Sequence, residues 1–178
     1  MVDPADHAGA ARRSCRQHVL PDVLGRELNV VFCGSAAGTV SARLGAYYAG
    51  PGNLFWPTLH RVGLTAERLE PREFRTVARY GIGLTDLAKT ESGGDDELSP
   101  AADDPAALRH KIARHRPGML AFVGKRAARV FLGRPVAYGL QPETLGATLV
   151  FVLPSPSGRA RRFWDESWWF DLARRLGA

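Results

Sequence analysis

Four short stretches of the chain carry residue types that could do chemistry. The first, Gly34-Ser35-Ala36-Ala37-Gly38-Thr39, is a run of small residues. Small side chains let a backbone approach a ligand closely, and successive N–H groups can face an anion. A plain strand-to-helix turn needs the same residues. The run contains neither GxGxxG nor GxxxxGK[ST], so it is no dinucleotide or P-loop fingerprint. The second stretch runs from Tyr47 through the Pro51-Gly52 turn to Trp56. Tyr47 and Tyr48 could stack on a flat base or simply pack, and Asn53 could cap the next helix. The third is Thr85-Asp86. A carboxylate here could position water or steady a developing cation, or serve as a helix cap. The fourth is Leu153 to Arg162, where two prolines stiffen a loop bearing Ser155, Ser157, Gly158, Arg159, Arg161 and Arg162. Rigid hydroxyl donors followed by cations suit a phosphate backbone. A solvated basic loop is the alternative.

The elements that must hold these residues can be read from patterning. Leu28–Cys33, Tyr80–Leu87, Met119–Val123 and Thr148–Leu153 are apolar runs without polar alternation, as in parallel strands buried on both faces. Between them lie helical patterns at Asn53–Val62, Pro71–Arg79, Pro105–Arg116 and Lys125–Leu132. A last helix runs over Asp165–Leu176, with Trp168, Trp169, Leu172, Ala173 and Leu176 on one face. This alternation predicts an α/β fold: three layers, α/β/α, around a central, mostly parallel four-stranded sheet. Ligands bind such sheets beyond the carboxyl ends of the strands. The stretches at Gly34, Thr85-Asp86 and Pro154, and also Gly124-Lys125, lie at the ends of strand runs. Residues 91–104 read as an acidic loop containing Asp95 and Asp96.

The 178 residues fit one domain over residues 21–178, preceded by a polar, mobile arm over residues 1–20 that carries Arg12, Arg13 and Arg16. The net charge of +6 is mostly arginine; the lysines are Lys89, Lys111 and Lys125. A basic balance favours a nucleic-acid partner, though arginine-rich composition also follows from a GC-rich genome. Cys15 and Cys33 make no disulfide framework and suggest a reducing cytosol. No window is long and apolar enough to span a membrane, and the first residues lack the apolar core of a secretory signal. Two cysteines 18 apart, with no clustered histidines, imply no metal and no cofactor.

Taken together and in order, these motifs resemble the mismatch-specific uracil/thymine branch of the uracil-DNA glycosylase superfamily. VFCGSAAG is similar to its first motif, a strand followed by G-x-N-P-G. PGNLFW is similar to its P-x-N-x-F-W segment, AFVGKRA to its third strand turn, and LPSPSGRAR to its second motif. The likeness is collinear from about Leu28 to the C-terminus. It implies a monomer that excises uracil from single- or double-stranded DNA in base excision repair, in a bacterial-type, nucleoid-associated cytoplasmic setting.

The chain departs from the family pattern where catalysis is usually assigned. The first-motif Asn falls on Ala36 and its Pro neighbour on Ala37. The second-motif His or Asn falls on Ser155, and the apolar wedge on Arg159. Asp86 is therefore the expected catalytic group, with Asp95 and Asp96 as further candidates. Ser35, Ala36, Ala37, Tyr47, Tyr48 and Asn53 are the expected base-binding residues. Ser155, Ser157, Gly158, Arg159, Arg161, Arg162 and Lys125 are expected to bind DNA. The superfamily's iron–sulphur branches use four cysteines and are excluded. Three other readings stay open: a glycosylase for deaminated purines such as hypoxanthine, an inactive DNA-binding member, and a flavodoxin-like binder of free mononucleotides.

Overall fold

The computed structural model describes residues 17–178. Arg12, Arg13, Cys15 and Arg16 of the expected arm lie outside the described residues. Within the rest of that arm the Val19 amide donates to the Lys89 carbonyl at 2.8 Å, and Leu20 is part of the core.

The sheet has five strands rather than the expected four. They are β1 (Val30–Gly34), β2 (Ile82–Asp86), β3 (Met119–Val123), β4 (Gly139–Leu145) and β5 (Thr148–Leu153), in the spatial order β2-β1-β3-β5-β4. The four expected strands are mutually parallel, and every residue of β1, β2 and β3 is buried. The fifth, β4, pairs antiparallel with β5 at the sheet edge. Its sequence, GLQPETL, hides it: burial alternates with exposure, and Pro142 sits inside. A proline can occupy an edge strand because it need not donate to a neighbour, and the register shifts between Leu140 and Thr144.

Side chains alternate across the sheet and feed two cores. On one face Val30, Phe32, Leu84, Ala121 and Phe151 pack with Phe55, Leu59, Phe74, Trp169 and Leu172. On the other Val31, Cys33, Leu120, Phe122 and Val152 pack with Leu108, Ile112, Ala127 and Phe131. The covering helices are α1 (Thr39–Leu44), α2 (Phe55–Arg61), α3 (Pro105–His115), α4 (Lys125–Leu132) and α5 (Ser167–Leu176). The expected segment at Pro71–Arg79 is a 3-10 helix, Pro71–Tyr80, entered through a reciprocal Glu70/Glu73 capping box. Its buried residues, Phe74 and Val77, are three apart, the spacing that lines up on one side of a three-residue turn. Parallel order places the ends of β1, β2, β3 and β5 at one pole, and the loops that leave them build the site.

Candidate active site

A cavity of about 640 Å³ opens at that pole. Its walls come from the loops after β1, β2 and β5 and from the Tyr47–Asn53 turn. At its floor Gly34 and Asp86 end neighbouring strands in direct register. A side chain at Gly34 would place its Cβ 2.6 Å from the Asp86 Oδ1 and 3.6 Å from the Tyr48 hydroxyl. Glycine at this position is therefore what lets the carboxylate lie across the strand end.

Asp86 is 4% exposed and accepts no hydrogen bond among the described residues. Burial disfavours its charged form and pushes its pKa up to about 6. Lys89 and Lys111 pull the value down, and Asp22 pushes it up. These three form a chain behind the site. The Lys89 ammonium is 2.9 Å from the Asp22 Oδ1, and Lys111 is 2.6 Å from the Oδ2. The Thr85 hydroxyl donates to the same Asp22 at 2.8 Å. Lys89 also donates to the Tyr47 hydroxyl at 2.9 Å. Neither Asp22 nor Lys89 stood out in the sequence. The available signal was a lysine three residues beyond Asp86 in a chain with three lysines.

The two tyrosines differ. Tyr47 is 1% exposed, anchored by Lys89 and by the Trp56 indole, which donates to its carbonyl at 3.0 Å. Only part of it reaches the cavity wall, so packing dominates its surroundings. Tyr48 adopts a left-handed backbone, φ 54°, unusual for a bulky residue. That conformation lays its ring flat on Phe55, with centroids 3.8 Å apart and planes 19° from parallel. Its hydroxyl is buried without a hydrogen-bond partner.

The remaining expected residues divide between cavity and scaffold. Ser35, Ala36 and Ala37 line the cavity. Ala37 also pairs with Ser92 in a parallel bridge, and the Gly34 and Ser35 carbonyls accept the Leu87 and Ala88 amides at 2.9 and 2.8 Å. The β1 and β2 loops are thus laced together. The N-cap of α2 is Leu54 rather than the expected Asn53; one residue earlier, the Asn53 Oδ1 accepts the Phe55 amide at 2.9 Å, and its Nδ2 has no partner among the described residues. The Leu54 amide donates to the Pro156 carbonyl at 2.9 Å, tying this turn to the loop after β5. In that loop the Ser155 hydroxyl accepts the Ser157 amide and the Ser157 hydroxyl accepts the Arg159 amide, both at 3.3 Å. Gly158 lies against the Pro51 carbonyl, 3.2 Å from where a Cβ would stand. Arg159 and Arg162 reach the cavity, and the Arg159 guanidinium lies against Gly94 in the acidic loop. Arg161 instead donates to the Gly52 carbonyl at 3.2 Å, holding two loops together. Lys125 does not line the cavity; its ammonium sits 4.2 Å from the centroid of Tyr138. Asp95 and Asp96 are on the rim and exposed. Among the described residues no group of three or more His, Cys, Asp or Glu side chains could hold a metal ion.

A buried carboxylate, a flat aromatic and a cationic rim around one cavity are what an enzyme needs to hold a base and act beside it. Residues 21–175 match the family described as the uracil DNA glycosylase superfamily. The chain belongs to that superfamily. The fold agrees with the solution NMR structure of a "putative Uracil DNA glycosylase" from Methanosarcina acetivorans, to which the chain is 24% identical, with a TM-score of 0.62. The alignment covers 92% of this chain and 99% of that one. Membership of the superfamily makes DNA the substrate and DNA glycosylase hydrolysis the chemistry, in place of free-mononucleotide binding.

Proposed function

We propose that this glycosylase excises uracil, with Asp86 as its catalytic carboxylate. The observation that carries the reading is the Asp86 side chain itself: buried, free of a hydrogen-bond partner, and laid across Gly34 at the floor of the cavity. A structural aspartate in such a place would be capped or ion-paired, because an unpaired buried charge is costly. Placement within the mismatch-specific branch rests on the order of the four motifs. The working form is a monomer acting on cytoplasmic, nucleoid-associated DNA.

In this mechanism the uracil nucleotide leaves the duplex or the single strand and enters the cavity. Its ring stacks on the free face of Tyr48, whose other face rests on Phe55. The Asn53 Nδ2 and the main-chain amides at Ser35 and Ala36 take the base oxygens. The N-glycosidic bond then breaks with both electrons leaving on the base, while a water oxygen bonds to the sugar carbon. The released water proton balances the charge left on uracil. Asp86, ionised, steadies the cationic sugar and orients the water. Serines 155 and 157 and the rim arginines hold the phosphates on either side.

The test is single-turnover cleavage of uracil oligonucleotides, single-stranded and opposite guanine or adenine, by wild type and Asp86→Asn. Abasic product from wild type, with at least a tenfold loss in the variant, about 1.4 kcal/mol of barrier, supports the reading. Equal cleavage by both proteins removes Asp86 from the mechanism and moves the role to Asp95 or Asp96. Failure of wild type on uracil, with turnover of hypoxanthine or a thymine mismatch, moves the substrate instead.

A further inference from the structure

The 3-10 helix that follows the second motif, Gly158–Phe163, has no buried residue and ends on an aromatic. Phe163 is 54% exposed and lies on the rim of the cavity. It is not a loosely hung side chain. The residue after it, Trp164, is partly buried and packs against Trp169 of the core with centroids 5.8 Å apart, and the Trp164 amide donates to the Arg161 carbonyl at 3.1 Å. Arg161 in turn is tied to Gly52. The backbone on both sides of Phe163 is therefore held while its ring is presented to solvent. The Arg162 guanidinium lies over the ring, 4.5 Å from the centroid, and the side chain as a whole stays more than half exposed.

Water gains nothing from such an arrangement, and a phosphate contact needs no phenyl ring. A flat, apolar face backed by a cation matches an unpaired nucleobase, whose ring stacks on aromatics whatever its sequence. Bases in an intact duplex are already stacked on their neighbours and have no free face to offer. Resting on the reading of this cavity as a DNA site, we propose that Phe163, backed by Arg162, is a stacking platform for an unpaired base next to the extruded nucleotide. The platform makes single-stranded DNA the favoured form of the substrate. The phosphates of the same strand then run past Arg159 and Arg162, the two arginines of this segment that reach the cavity.

The experiment is equilibrium binding of oligonucleotides carrying a tetrahydrofuran abasic analogue, which cannot be cleaved. The single strand is compared with the paired duplex for wild type, Phe163→Ala and Phe163→Trp. Phe163→Ala is expected to lose roughly tenfold on the single strand and less than about twofold on the duplex. Phe163→Trp is expected to keep wild-type affinity. The melting temperature and the slope of log K against log salt should not change, since no charge or core packing is removed. Equal losses on both DNA forms, no loss on the single strand, or failure of Trp to replace Phe would overturn the platform. Because nothing is cleaved, the outcome is independent of the base excised. A protein inactive on uracil that still shows the selective loss keeps the platform and loses the uracil reading.

Discussion

The wall of the cavity formed by Gly34, Tyr48 and Asp86 is largely buried and held by the sheet, whereas the segment Gly158–Phe163 has no buried residue and is rich in arginine. On the first wall each group is tightly constrained. The Asp86 carboxylate lies over Gly34, where a Cβ would stand 2.6 Å from its Oδ1, and Tyr48 is stacked on Phe55. Charge there is costly and keeps its strength, because little water screens it. On the second wall, charge is cheap and weakened by salt. The contrast separates the two tasks of the site. The buried wall is suited to acting on one bond, and the exposed wall to gripping a polymer that any cation can attract.

The comparison breaks most directly at Asp86. Asp86→Asn is expected to lower single-turnover cleavage on the order of a hundredfold. It should also stabilise the fold. The folded carboxyl holds its proton up to about pH 6, against 3.8 for the ordinary value. Stability from that tighter proton binding is present below about pH 3.8 and is lost as pH rises through 6. At neutral pH the wild type carries an ionised buried group at a cost on the order of 3 kcal/mol, so the variant should melt higher. A variant that is slower but no more stable would mean that Asp86 is not desolvated. The same pKa gives the wild-type rate a limb that falls below about pH 6, and the limb should vanish in Asp86→Asn.

Gly34→Ala tests the constraint without removing charge. Its methyl must displace the Asp86 carboxylate or the strand end, so a loss of rate of roughly tenfold and about 1–3 kcal/mol of stability is expected. Full activity would show that the carboxylate can shift without loss of function. On the exposed wall, Arg159→Ala and Arg162→Ala should leave the melting temperature unchanged. Each should lower the slope of log K against log salt by roughly 0.9 on duplex DNA. A salt-independent loss would place these residues with the buried wall. The smallest effect belongs to Tyr48→Phe. Removing a buried hydroxyl that has no partner should leave the free protein as stable or more stable by about 1 kcal/mol, with stacking intact. A melting temperature that falls would reveal a partner for that hydroxyl.

Local pattern carried much of the architecture. Parallel strands covered on both faces appear as unbroken apolar runs, so Val30–Gly34, Met119–Val123 and Thr148–Leu153 were legible within a residue or two. The edge strand Gly139–Leu145 was not, because half its residues face solvent and Pro142 reads as a breaker. Helix α1, six residues with only Ser41 buried, has too short an apolar face to show a period. The small-residue run, the Tyr48 turn and Asp86 all pointed to the carboxyl pole, and the structure brings them to one cavity. Lys125 was drawn in by following a strand, yet it turns to Tyr138, and Arg161 serves the scaffold.

By itself, then, the amino-acid order determined four of the five strands, that those four run parallel, and hence at which end of the sheet polar residues must gather. Those properties depend on neighbours within about ten positions and on the burial that periodicity reports. Only the tertiary structure decided which of the gathered groups face one another. Asp86 meets Gly34 across 52 positions of chain, Asp22 reaches Lys89 and Lys111, and Phe163 is left in the open while Trp164 turns inward. Each of those outcomes rests on strand register and on space left by side chains far away in sequence, which no local window contains.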